Sequence, residues 1–307
     1  MRAKHALELL LVRGAMAGLR SLSWRRSLVA GAAVGDLSRA LGLRRRTAER
    51  NLAQAFPERS AAERAAVLTA HYRELGRVVA EYSRLAELAR APAGEVIAAV
   101  RGVEHLLRAR EAGRGAILLS GHFGNFELLG AFLGGMHPVD FVVRPLANRG
   151  VDAMIAGARA RAGVRQIDAG TGVRRVYEAL RANHWVTFLA DQDARRQGAF
   201  VPFMGRPAST PTGPARIALA TGAPIIMGFV TRRPDGRHEL DIDPALEVFD
   251  PDAPDAVLRL TALHAARLEH WVRARPEMWF WLHRRWKTPA PPDVAGRLTN
   301  GVGARGG

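Results

Sequence analysis

The chain has 307 residues, a formal charge of +16 and no cysteine. That length buries the core of one large domain with an appendage, and the missing cysteine excludes disulfides, thiolate metal sites and an acyl-cysteine intermediate. Lysine occurs only at Lys4 and Lys287, so 43 of the 45 basic residues are arginine, and the excess of base over acid implies an anionic partner: a phospholipid surface, a phosphorylated lipid, an acidic carrier protein or nucleic acid.

Residues 1–90 are helical in pattern and form an N-terminal region expected to associate with a membrane. Ala6 to Leu19 is apolar but broken by Glu8 and Arg13, and Ser27 to Leu43 is broken by Asp36, Arg39 and glycines. Neither reaches the roughly 18 uninterrupted apolar residues of a spanning helix, and no cleavable signal follows them. Such segments lie on or dip into a membrane surface. Arg44, Arg45, Arg46 and Arg50 form a basic cluster, and the helix through Asn51 and Phe56 stops at Pro57. Ser60 with Glu63 is a capping box that opens a long helix to about Leu88.

Pro92 to Gly94 marks a boundary that opens a second domain at residues 91–288, and from about Gly102 its pattern alternates strands and helices. Strands are expected at 116–120, 139–143, 164–167, 185–190, 224–231 and 237–242. The last two form a hairpin across Pro234-Asp235-Gly236, and residues 194–210 read as a loop. Helices fall between them, and a final long helix spans 256–273. The fold class is therefore α/β, a mainly parallel mixed sheet flanked by helices. From Pro289 onward the composition is that of a disordered tail.

The chemistry concentrates at Gly121-His122-Phe123-Gly124-Asn125-Phe126-Glu127. A buried strand runs into a glycine turn, and the helical spacing of apolar residues begins just after His122. That turn sits at the C-terminal edge of the sheet, where open α/β sheets place their ligands. The H-x4-[DE] spacing recurs at His238 with Asp243 and at His264 with Glu269. Five residues along a helix point about 140° apart, and in a strand they face opposite ways. Only His122 has a turn between the partners, so Glu127 is expected to fold back and hold its imidazole.

Two more strand ends deliver polar groups to the same edge: Arg144 with Asn148, and Asp191-Gln192-Asp193. A base, an arginine and carboxylates suit acyl or phosphoryl transfer to a hydroxyl. The amides from Phe123 to Asn125, or Arg144, are the expected oxyanion donors. The loop Phe200 to Gly205, followed by Thr210, reads as the wall of an acyl-chain channel or as core. The run Met278 to Lys287 mixes aromatics with cations, as at a water–lipid boundary or a surface that stacks on single-stranded nucleic acid. No G-x-S-x-G, P-loop, G-x-G-x-x-G or H-E-x-x-H motif occurs, which argues against serine hydrolase, nucleotide and metal sites.

Taken as ordered blocks, these residues resemble the bacterial lipid A late acyltransferases, related to the glycerol-phosphate acyltransferases. The blocks are Asn51-Leu52 with Phe56-Pro57, the His122 turn, Arg144-Pro145-Leu146 with Asn148, Asp191 to Asp193, Phe200 to Gly205, Thr210, and Pro276 to Lys287. The resemblance implies a glycerol-phosphate-acyltransferase-like fold and transfer of a fatty acyl group to a hydroxyl of an anionic membrane glycolipid. The donor would be acyl carrier protein or acyl-coenzyme A, with no cofactor, metal or nucleic acid involved. Its catalytic pair would be His122 and Glu127, and its substrate contacts would include Gly124, Asn125, Arg144, Asn148, Asp191, Gln192, Asp193, Phe203 and Thr210. The interrupted N-terminal helix departs from family members that carry a clear membrane helix. It suggests peripheral or monotopic attachment at the cytoplasmic face of the inner membrane.

Overall fold

The computed structural model describes residues 3–247 and 249–292. Five helices come first: α1 (Ala3–Ser21), α2 (Trp24–Ala40), α3 (Arg45–Ala55), α4 (Ala61–Tyr82) and the short α5 (Leu85–Ala89). The Ser60 and Glu63 side chains each bond the other's backbone N–H at the start of α4, as the capping-box spacing requires. The helix stops at Tyr82, and α5 completes the expected span as a separate turn. Helices α2 and α4 touch through glycines. A Cβ on Gly76 would lie 1.9 Å from the Gly31 carbonyl oxygen, so the two backbones approach as only glycine permits.

Next come β1 (Ile97–Arg101), α6 (Val103–Glu111), β2 (Ala116–Ser120), α7 (Phe126–Gly134), β3 (Val139–Val143), α8 (Arg149–Arg161), β4 (Val164–Asp168), α9 (Val173–Arg181) and β5 (Trp185–Leu189). They are followed by β6 (Ala199–Phe203), β7 (Arg206–Thr210), α10 (Gly213–Thr221), β8 (Ile225–Arg232), β9 (His238–Ala245) and α11 (Ala256–Ala274). The main sheet has the order β1-β9-β8-β2-β5-β3-β4, and all its pairings are parallel except β8 with β9. Its centre is β2, whose five residues are all buried, as a parallel strand covered on both faces demands.

Two elements depart from the sequence expectations. Edge strand β1 lies between the Pro92–Gly94 boundary and Gly102, where no strand is expected. The expected loop 194–210 contains an antiparallel hairpin, β6–β7. Its two-residue turn is Met204-Gly205, both at positive φ, the conformation that twists with the flanking strands. The expected tail from Pro289 lies, from residue 293 on, outside the described residues.

Candidate active site

Strand β2 delivers Ser120 to the sheet edge, where its hydroxyl donates to the Gly228 carbonyl at 2.7 Å. The chain then turns through Gly121 to Asn125. Gly124 sits at φ +54, and a Cβ there would lie 2.0 Å from the Val230 carbonyl oxygen, so the turn admits glycine alone. Asn125 ends the turn by accepting from the Leu128 N–H as the N-cap of α7.

Strand β5 pairs with β2 in parallel register, Ser120 opposite Leu189, so the residues after β5 arrive beside the His122 turn. Asp191 is 3% exposed and takes three bonds there. His122 Nδ1 lies 2.7 Å from Oδ1, the His122 backbone N–H donates to Oδ2 at 2.8 Å, and Trp279 Nε1 donates to Oδ2 at 2.9 Å. The carboxylate accepts, so Nδ1 carries the hydrogen and Nε2 presents its lone pair. The Gln192 amide nitrogen is 3.4 Å from Nε2, and the rings of Phe126 and Phe280 flank the imidazole. The His122 side chain is 27% exposed, which leaves Nε2 within reach of a substrate.

The segment Pro276 to Thr288 holds this turn from below. Gly124 N–H donates to the Met278 carbonyl and Phe280 N–H to the His122 carbonyl, each at 2.9 Å. Trp279, Trp281 and Arg285 are almost fully buried. Those residues of the aromatic–basic run are core and do not face outward as expected, while Arg284 and Lys287 of the same run are exposed.

Electrostatics favour a proton-accepting imidazole. Burial alone lowers the His122 pKa, but the Asp191 charge and hydrogen bond, joined by the Glu127 charge, raise it above its ordinary value. For Asp191, burial acts upward, while His122 and the Trp279 donor carry its carboxyl down to about 2. Such a pair can accept a proton at Nε2, with Asp191 as counterion for the imidazolium.

Glu127 is not the brace. Its carboxylate takes the fork of Arg159, with Nε at 2.9 Å and Nη2 at 2.5 Å, and Arg159 is steadied by the Gln166 side-chain oxygen at 2.9 Å. In the first turn of α7 the carboxylate faces α8, and it reaches His122 through its field alone.

The structure distributes the other expected site residues unevenly. Asp191 and Gln192 converge on His122. Asp193 turns away: its N–H donates to His283 Nε2, and its carboxylate accepts from Thr288. Asn125 is buried, with its amide nitrogen donating to Glu81 at 2.8 Å. Asn148 caps α8 and donates to the His5 carbonyl and Glu8, tying α8 to α1. Arg144 is exposed at the end of β3, and Asp191 is not its partner. Phe203 packs in the core against Trp279 and Trp286, while Thr210 is buried against Arg285. As for the oxyanion donors, the Phe123 N–H goes to the Gly121 carbonyl and the Gly124 N–H to Met278. Sequence reasoning missed Arg159 and Trp279. Nothing local marked the arginine, and the tryptophan stood in a run whose composition pointed outward.

Comparison with known proteins places the chain in a family. The family described as bacterial lipid A biosynthesis acyltransferase matches residues 3–288. The chain belongs to that family. It is similar to the lipid A biosynthesis lauroyltransferase of Escherichia coli (strain K12), 29% identical over 279 residues and 87% of each chain. It is 28% identical over 262 residues to the lipid A biosynthesis palmitoleoyltransferase of the same organism, covering 84% of each chain. The phosphatidylinositol mannoside acyltransferase of Mycobacterium tuberculosis (strain ATCC 25618 / H37Rv) is 28% identical over 243 residues, covering 77% of this chain and 75% of that protein. The chain is thus an acyltransferase of the lipid A or mannoside glycolipid type.

Proposed function

We propose that the protein transfers a fatty acyl chain from the thioester of acyl carrier protein or coenzyme A to a hydroxyl of a lipid A precursor, with His122 as general base. The observation that carries this reading is the 2.7 Å contact between His122 Nδ1 and the buried Asp191 carboxylate at the edge of the central strands. The acceptor oxygen attacks the thioester carbonyl as Nε2 takes its proton, and Asp191 stabilises the imidazolium that forms. The carbon–sulfur bond then breaks, the thiolate recovers the proton from His122, and the ester remains on the lipid. With no cysteine in the chain, the acyl group passes directly between substrates. Gln192 adjoins the reacting nitrogen and is assigned to substrate contact, as is Arg144 at the neighbouring strand end.

Glu127 enters through its charge. Held by Arg159, it adds to the field that keeps His122 basic and fixes α7 against α8. The substrate surface lies at the membrane, on the cytoplasmic face. Among the described residues no helix is long and apolar enough to cross a bilayer. Yet Leu7, Leu10 and Leu11 of α1, Val29 and Leu37 of α2 and Leu41 just after it are well exposed, a pattern suited to peripheral or monotopic seating.

Mass spectrometry of products from a panel of acyl carriers and acceptors tests the reading. Acylation of a lipid A precursor by wild type, lost in a folded His122→Ala protein, is the expected result. Transfer to a mannoside lipid alone favours the second reading, which the mannoside acyltransferase relative suggests. Wild-type turnover in folded His122→Ala overturns the assignment of the base.

A further inference from the structure

A cleft of about 390 Å³ opens between the C-terminal end of α1, the α4–α5 junction and α8. Four guanidinium groups line it, from Arg20, Arg84, Arg90 and Arg161, against a single carboxylate, Glu87. Arg20 pairs with Glu87 and so uses that one counterion. The other three make no ion pair among the described residues. Arg84 Nη2 donates to the carbonyls of Leu19, Arg20 and Leu22, and Arg90 Nη2 donates to the Arg161 carbonyl. Carbonyls fix Arg84 and Arg90 in place and leave most of their charge uncancelled, while the Arg161 side chain is exposed beside them. The Arg84 Nε is buried without an acceptor, a costly state for a cationic N–H. Three positive charges held around one apolar-floored cleft repel each other until an anion enters.

We propose that this cleft binds a phosphate ester. Three guanidinium groups arriving from the α4–α5 junction, the end of α5 and the end of α8 need a ligand with at least three acceptor oxygens and more than one negative charge. A phosphate monoester meets that need, while a carboxylate offers two oxygens and one charge. Tyr82 joins the cleft to the surroundings of the proposed base. It lines the cleft, its hydroxyl donates to the Ile155 carbonyl of α8 at 3.2 Å, and burial, with the Glu127 charge second, raises its pKa. Two substrates of the proposed transfer can carry a phosphate monoester, the acceptor headgroup and the ribose 3′-phosphate of a coenzyme A donor, so this part of the inference rests on the acyl-transfer reading.

The test uses the full chain and Arg90→Glu/Arg161→Glu, both exposed positions, leaving Arg84 to hold α1. Inorganic phosphate at constant ionic strength should raise the melting temperature of wild type and leave the double variant unmoved, which requires no turnover. Steady-state transfer then identifies the source. An increase in KM of about ten-fold or more for a phosphorylated acceptor, absent for its dephosphorylated form, assigns the acceptor headgroup. The same contrast between coenzyme A thioesters with and without the 3′-phosphate assigns the donor. Equal phosphate stabilisation of both proteins, or equal KM changes with and without phosphate, overturns the proposal while leaving the acyltransferase reading intact. A wild type that transfers no acyl group sinks that reading instead, and the melting experiment still decides the anion site.

Discussion

His122 Nδ1 and Asp191 Oδ1 lie 2.7 Å apart although 69 residues separate them in the chain. Neighbouring parallel strands make the pair, since β2 ends in the histidine turn and β5 ends at the aspartate. Trp279 supplies the third donor to that carboxylate. In Trp279→Phe the ring remains and the donor is lost. The variant should lose about 1–2 kcal/mol in urea unfolding. The acid limb of its pH–rate profile should move to higher pH, because a carboxylate with one donor fewer favours the imidazolium more strongly.

Glu127 and Arg159 form a second buried pair, with the carboxylate side chain 8% and the guanidinium side chain 13% exposed. Removing one partner strands a buried charge. Arg159→Met should therefore cost roughly 3–5 kcal/mol in stability, and Glu127→Gln/Arg159→Met should recover part of it. A double-mutant cycle measured by denaturant unfolding reads the coupling. Glu127→Gln should also lower the acid limb of transfer, but by less than a change at Asp191, since the Glu127 charge is the smaller influence on His122.

How far the sequence reached can be judged on these residues. The His122 turn was legible because an apolar run, a glycine and the onset of helical spacing are all local signals. Asp191 was legible as a polar strand end, but not as the brace. Strand order is tertiary, and only the adjacency of β2 and β5 brings the two together. Glu127 was favoured because it is near in sequence, whereas the first turn of α7 aims it at α8. The β6–β7 hairpin was hidden by Met204, a residue seldom found at positive φ, in place of the usual asparagine. The Trp279 to Arg285 run looked like a surface because composition states what a segment contains and not which side covers it.

Gly124→Ala probes the turn itself. At φ +54, with the Val230 carbonyl 2.0 Å from the new Cβ, alanine must push the turn off β8. A loss of stability beyond about 1–2 kcal/mol is expected, with transfer falling further than stability because His122 moves with the turn. Thermal unfolding alongside initial rates separates the two effects.

Two buried histidines set the acid sensitivity of the fold. Burial pushes His71 down to about 4 and His264 down to about 3, from an ordinary 6.5, so both are folded neutral. Their contribution is complete above about pH 6.5 and is lost as pH falls toward those folded values, where the unfolded chain binds the protons. The melting temperature should therefore fall from pH 6.5 toward pH 4, and His264→Leu should flatten the fall.

The most direct test is the pH dependence of kcat/KM for wild type and Asp191→Asn. With the carboxylate in place the acid limb should lie above the ordinary histidine value of 6.5. Asparagine removes the charge and turns an amide toward Nδ1, so the rate should drop by roughly 10²–10⁴ and the remaining acid limb should move down. An Asp191→Asn enzyme with the wild-type rate and an unmoved limb would contradict the account.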